Sequence, residues 1–531
     1  MSSSSDASPS PSPGTDPSPG PLLLITCSAV CALITLDTNI VAVSLPSIAR
    51  SLQAGFSDIE WVVSTYMLAF ASLLLPAGGI ADLFGRRRTL LVGLGVFAAA
   101  SLLCGAAWTV EILQWARALK GVGAALLLTS ALAVIGHTYR TERERTHAWA
   151  IWGTCMGVSA TLAPLLGGTI TQLMGWRWIF LLNLPVCLVL GALVWRYVDE
   201  SRDAGAARID IWGGLTFSGG LCCLIWAMIG ASEAGWSSAL TLSRAGAGLL
   251  LLALFVPVEL MQQRPMIDLR LFRSPRFVGS VQSMFGYAAS AQVMMTFLPL
   301  YLQNAFDYSA ISAGLAMLPF ALAMMLFPRV GALLTRFMPL HGLMSLALGM
   351  VCAGNVIVAV AAAVASHWLV LIGMIVTGSG AGILNGNTQK AIVRNVPIER
   401  SGMASGISTT TRFAGIVLAI ACLGGVLLQH TGTNFGEALG AAQIALPPDA
   451  GDIVQHAVAG DGLLALQSWP AGTRAFAAQA LQSSFARAFA AAMLIAALAA
   501  AISAVLTYVL GRGERQEQPG PSIAIASNSA G

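Results

Sequence analysis

The sequence predicts an all-α polytopic membrane protein, and three observations carry that reading. Of its 531 residues, 56% are hydrophobic and only 10% are charged, against about 25% charged in soluble globular domains. Mean hydropathy is +0.75. The apolar residues also fall in runs of roughly 20 residues or more, enough to cross a hydrocarbon core of about 30 Å as a helix. A chain with so little charge must turn most of its surface to something other than water, which excludes a soluble enzyme.

The runs lie at 21–45, 60–81, 89–108, 111–136, 147–172, 177–197, 211–231, 240–261, 277–303, 310–335, 342–364, 367–390, 402–428 and 485–510. That is about fourteen spans, with ends good to a few residues. Residues 1–20, rich in Ser and Pro, lack the basic stretch and cleavage site of a signal peptide and read as a disordered tail. The polar residues 511–531 read the same way. With both termini placed in the cytoplasm, twenty of the 28 Lys and Arg residues fall in cytoplasmic loops, five fall outside, and Arg117, Lys120 and Arg412 remain inside spans. This bias fixes orientation through the preference of basic loops for the cytoplasm. The loop 429–484 then lies outside and is acidic; it reads either as a functional loop, as long loops often are, or as a tether with a short amphipathic helix near Arg474–Leu481.

Other chemistries leave no trace. A net charge of +4 without a basic patch gives no footprint for nucleic acid. The nine cysteines all lie in apolar spans and read as small hydrophobes; neither they nor the six histidines have metal-ligand spacing. No phosphate-binding loop ending in Gly-Lys-Ser/Thr appears, so no ATP drive is expected. No cofactor or metal is expected.

Motifs narrow the class. GGIADLFGRRR (Gly78 to Arg88) joins the second and third spans, with Gly78, Asp82, Gly85 and Arg86 as its key positions. It closely resembles the cytoplasmic loop signature of the major facilitator superfamily, in which this loop braces the two halves of the transporter. A fainter copy, Gly331 to Phe337, sits between the tenth and eleventh spans, with Thr335 at the aspartate position. GVGAALL (121–127) and GSGAGIL (378–384) echo each other in the same way. Internal repetition is the expected architecture of such transporters.

LDTNIVAVSLP (Leu36 to Pro46), Arg117 with Gly121 and Gly123, APLLGG (Ala163 to Gly168), GWRWIFLLNLPV (175–186) and PMIDLRLFRSPRF (265–277) resemble the 14-helix drug:proton antiporter family. Lys120 stands where that family usually has glutamine. Pro164, Gly167 and Gly168 match the motif that superfamily exporters carry and importers usually lack. The resemblance covers about residues 21–510. It implies a six-helix half over 21–200, two inserted helices within 201–264, and a second six-helix half over 265–510 that includes the loop 429–484. It also implies a multi-pass protein of the cell (inner or plasma) membrane that works as a monomer. Its partners would be protons, amphiphilic small-molecule cargo and the bilayer, with a periplasmic adaptor protein as a further candidate.

Ionisable side chains inside a bilayer are costly and usually functional. Asp37, Arg117 and Lys120 fall roughly 6, 10 and 5 Å to the same side of the midplane, at about 1.5 Å per residue. Desolvation favours the neutral form of a carboxyl group and a nearby cation favours the charged form. Proton, arginine and cargo competing for one carboxylate make a minimal antiport device. Asp37 and Arg117 are therefore the expected proton-coupling residues, and Lys120, Arg412, Asn39, Tyr66 and Met295 are candidates to line the cavity. Glu60, Glu111, Asp210 and Glu259 are placed near span ends. The function expected is export of hydrophobic or amphiphilic toxic compounds in exchange for protons. A dedicated exporter of one endogenous product and a proton-coupled importer remain open.

Overall fold

The computed structural model describes residues 21–139, 141–202, 210–262, 267–396, 401–445, 449–461, 466, 469 and 471–512. Both predicted tails therefore lie outside the described residues, apart from Gly511 and Arg512.

The described residues form helices α1 (Pro21–Leu52), α2 (Phe56–Phe84), α3 (Arg86–Ala106), α4 (Val110–Thr138), α5 (Glu142–Leu173), α6 (Trp178–Leu181), α7 (Asn183–Tyr197), α8 (Ile211–Ala234) and α9 (Ala239–Met261). They continue with α10 (Pro275–Tyr287), α11 (Met294–Phe306), α12 (Ala310–Ala316), α13 (Leu318–Leu334), α14 (Leu340–Ala363), α15 (His367–Arg394), α16 (Ser401–Ala441), α17 (Ala450–His456) and α18 (Ala471–Gly511). Helices dominate because a backbone in lipid must satisfy its own hydrogen bonds. Their starts are marked by polar caps: Thr109, Ser238 and Ser309 accept from Ile112, Thr241 and Ser312 backbone N–H groups.

Among the described residues, 12 helices are long and apolar enough to cross a membrane, or 13 if bent α2 is one span. The bend of α2, 55°, falls at Pro76, which removes a helical hydrogen bond. The remaining expected span, 277–303, is broken by a π turn at Ala288–Gln292 into α10 and α11, each 13 residues long and too short to cross alone.

The helix packing is itself repeated. A Cβ on Gly121 would lie 2.4 Å from the Tyr66 carbonyl of α2, and one on Gly123 would lie 2.9 Å from the Phe97 nitrogen of α3. In the later copy, a Cβ on Gly378 would lie 2.5 Å from the Phe320 carbonyl of α13, and one on Gly380 would lie 2.6 Å from the Ala347 carbonyl of α14. So α4 seats on α2 and α3 as α15 seats on α13 and α14, with the same two glycines permitting each approach. Helices α8 and α9 pair with each other through Gly220 and Gly248, and Gly214 of α8 rests on Pro76 of α2.

The 429–484 segment departs from expectation. It is not a tether: α16 continues to Ala441, and α18 begins at Ala471 without a separate amphipathic helix. Between them, α17 and a π turn at Ala457–Asp461 pack onto the face opposite the termini. Val458 and Ala459 are fully buried there. Arg50 of α1 donates to the Gly460 carbonyl (3.1 Å), Gln455 accepts from the Ser57 N–H (3.1 Å), and Asn304 of α11 donates to the Val458 carbonyl (2.9 Å). The apolar run Ile453, Val454 and Val458, buried among α1, α2 and α11, explains why the segment folds back.

Candidate functional site

Asp37 of α1 sits at the centre of a buried ion cluster. Its Oδ2 accepts from Arg117 Nη1 (3.1 Å), and its Oδ1 accepts from Lys120 Nζ (2.5 Å) and Asn183 Nδ2 (2.9 Å). Exposure is 1% for Asp37, 0% for Arg117 and Lys120, and 5% for Asn183. Arg117 and Lys120 are three residues apart on α4, which puts both on one face. Arg117 Nε donates to the Val62 carbonyl of α2 (3.1 Å).

Aromatic rings complete the walls. The Arg117 guanidinium lies 4.1 Å from the Tyr66 ring centroid, and Lys120 Nζ lies 4.7 Å from Phe97 and 4.9 Å from Phe180. Ring faces attract cations, most where water is excluded. One carboxylate faces two cations, so the cluster carries one net positive charge away from water. Asp37 cannot take a proton on Oδ1 without Lys120 or Asn183 giving up its bond.

The sequence-derived candidates divide clearly. Asp37, Arg117, Lys120 and Tyr66 come together. Asn39, which the sequence put beside them, points back along its own helix and donates to the Thr35 carbonyl (2.8 Å). Met295 is buried on α11, just past the π turn, and Arg412 lies half-buried on α16; neither bonds to Asp37. Asn183 is a member that sequence reasoning missed. Its signal was a lone amide in the apolar run LLNLPV. Glu60 and Glu259, placed near span ends from sequence, are 3% and 2% exposed; Asp37 is not alone among buried acids.

The Gly78–Arg88 stretch is the end of α2, a turn at Gly85 and the start of α3. Asp82 accepts from Arg86 Nε (3.1 Å) and Nη2 (2.9 Å). Gly85 has φ +111°, and a Cβ there would lie 2.4 Å from Glu200 Oε1, so both conformation and space demand glycine. Glu200 accepts from the Arg87 and Arg88 N–H groups at the start of α3, where a carboxylate meets unpaired helix donors. Gly78 differs: nothing lies within 4 Å of where its Cβ would stand.

The Ala163–Gly168 stretch of α5 is pressed between two helices. A Cβ on Gly167 would lie 2.6 Å from the Ile40 carbonyl of α1, and one on Gly168 would lie 2.3 Å from the Ala310 carbonyl of α12. Gly314 of α12 answers, with a Cβ position 2.4 Å from the Pro164 carbonyl. Nearby, Gln303 of α11 donates to the Val43 carbonyl of α1 (3.0 Å), and the Ile311 N–H donates to Gln172 (3.2 Å). Helices from the two repeats are thus tied together at the face opposite the termini.

Comparison with known proteins gives the family of this architecture. The chain is 34% identical over 400 residues to the multidrug resistance protein Stp of Mycobacterium tuberculosis, covering 74% of this chain and 73% of Stp. It is 32% identical to the methylenomycin A resistance protein of Streptomyces coelicolor, covering 76% and 85%. It is also 32% identical to the multidrug efflux pump LfrA of Mycolicibacterium smegmatis, covering 76% and 80%. Among solved structures, an inward-facing, occupied bacterial homologue of the human lysosomal transporter Spinster superposes with a TM-score of 0.61 at 15% identity, covering 94% of this chain and 98% of that one. Residues 27–420 match the model of the Major Facilitator Superfamily, and the chain belongs to that family.

Proposed function

We propose that this protein exports hydrophobic or amphiphilic toxic compounds across the cell membrane in exchange for protons. The observation that carries the reading is the Asp37–Arg117–Lys120 cluster, an acid held by two cations at the heart of the first repeat, in a chain whose relatives are named as multidrug and antibiotic resistance proteins and as a multidrug efflux pump. A proton arriving at Asp37 competes with Lys120 for Oδ1. Proton binding frees Lys120, and proton release lets the pair re-form. Because α1, α2, α4 and α7 all contribute to the cluster, its rearrangement would shift α1 against α5 and α12, where Gly167, Gly168 and Gly314 allow close approach.

In this reading the two halves span 21–200 and 265–510, α8 and α9 are inserted between them, and both termini are cytoplasmic. The face closed by α17 is then the outer one. The Asp82–Arg86 pair and Glu200 hold the cytoplasmic turn, Pro164 and its glycines hold the outer contact, and the protein acts as a monomer without a cofactor. The test is a resistance profile of cells with and without the gene over a chemically diverse panel, repeated with the proton gradient collapsed. Gradient-dependent protection against several unrelated amphiphiles is expected; protection that survives the collapse would overturn proton coupling.

A further inference from the structure

A second polar group lies in the later repeat, and none of its residues bonds to Asp37. Arg412 of α16 makes no ion pair or hydrogen bond among the described residues, and its Nε is buried without an acceptor. Tyr287 ends α10 and is followed by Ala288, which meets Gly415 of α16 about one helical turn from Arg412, and Gln292 lies one π turn further on. The Tyr287 hydroxyl and Gln292 Oε1 are buried facing each other, and neither meets a further partner among the described residues. Unsatisfied buried polar atoms cost about 1–3 kcal/mol each and call for an explanation.

Depth and packing make a lipid-facing, snorkelling arginine a poor explanation. Phe413 packs against Phe70 of α2 with ring centroids 4.4 Å apart and the rings tilted by 56°, and Phe70 is midway along the 29-residue α2. Arg412 therefore lies near the middle of the span, where two repeats meet. Gly415, three residues on and on the same face of α16, would bring a Cβ within 3.0 Å of the Ala288 side chain. That close approach holds Arg412 against the π turn, a distortion often found at functional sites. The other buried acid facing α16, Glu60, lies against Gly424, twelve residues or about 18 Å along the helix.

We propose that Arg412, Tyr287 and Gln292 form a binding site for the anionic group of an amphiphilic cargo, a carboxylate or sulfonate carried on an aromatic body. The anion accepts from Arg412 Nε–H and the Tyr287 hydroxyl, and the Gln292 amide, turned about its last torsion, adds a third donor. The aromatic body packs beside Phe413, whose ring centroid lies 5.5 Å from the Arg412 guanidinium carbon. The site extends the exporter reading to a cargo class and rests on it.

The experiment measures binding of three matched fluorophores to the full-length protein in nanodiscs: an arylsulfonate, its uncharged sulfonamide and a quaternary-ammonium analogue. The wild type should bind the sulfonate at least about tenfold tighter than the sulfonamide, and the ammonium compound weakest. The sulfonate-to-sulfonamide ratio should fall to about one in Arg412→Gln and by a fewfold in Tyr287→Phe, while Arg412→Lys keeps part of it. Equal wild-type affinities, or a preference retained in Arg412→Gln, would overturn the site. The wild-type ordering is decisive even if Arg412→Gln does not fold. Export of the uncharged sulfonamide from cells tests the underlying reading separately: its absence would remove the exporter, whereas a lost charge preference removes only the anion site.

Discussion

Asp37→Asn should be costly, and Lys120→Gln should reverse part of the cost. Asp37 accepts from three donors and neutralises one of two buried cations. A carboxamide offers one acceptor oxygen and turns its NH2 toward Arg117 or toward Lys120 and Asn183, so one donor faces another donor. Removing one partner of a buried ion pair costs about 3–5 kcal/mol. With Lys120 also replaced, only Arg117 is left without a counter-charge, and its cation–π contact with Tyr66 at 4.1 Å remains. The double mutant should then be more stable than Asp37→Asn alone, with a coupling of about 1–3 kcal/mol, the range seen for residues in one network. Lys120→Gln by itself leaves a one-to-one Asp37–Arg117 pair and should cost least. The assay is reversible unfolding of the four proteins in mixed micelles. Additive effects, with Asp37→Asn within about 0.5 kcal/mol of wild type, would refute the argument that charge imbalance governs this cluster.

Further expectations follow from the same geometry. In a cysteine-free background, Ser5→Cys should resist and Thr433→Cys should react with an impermeant thiol reagent in intact cells; labelling of Ser5→Cys alone would reverse the topology. Gly168→Val and Gly314→Val should each cut efflux at least about tenfold at normal membrane abundance, because the new side chain meets a backbone carbonyl that cannot swing aside; normal efflux would remove the outer contact from the mechanism. Gly460→Ala places a Cβ 2.5 Å from Pro46 at φ +107°, and should loosen α17, seen as faster trypsin cleavage at Arg474. Dicationic dyes should be exported more poorly than matched monocations, because the described interior cluster is already positive; robust dication export, unchanged in Lys120→Gln, would defeat this.

Much of this fold was legible in composition alone, because apolar runs of span length have few other solutions. What periodicity could not show were the interruptions. The π turn at Ala288–Gln292 and the turn at Asn385–Gly386, where Gly386 has φ +86°, occur inside runs that read as uniform helix. The ends of segment 429–484 did not read as helix because Gly, Thr and Gln break the apolar run without ending the helices, which continue to Ala441 and begin at Ala471. At the site, Asp37, Arg117 and Lys120 stood out because charge in an apolar run is conspicuous. Asn183 and Glu200 did not, since a lone amide in an apolar run is a weaker signal than a charge and a loop acid is none, and only the fold brings each to its partner. Gly78 shows the converse: it belongs to a legible motif, yet nothing in its surroundings demands glycine.

Proton movement driven by cargo tests the central claim most directly. Purified protein in proteoliposomes holding a pH-sensing dye would be given an inside-acid gradient, and an amphiphile exported by cells would then be added outside. The account predicts that the cargo dissipates the gradient as protons leave in exchange for its entry, and that Asp37→Asn, at equal incorporation, shows no such response. Cargo-driven proton movement of wild-type size in Asp37→Asn would contradict it.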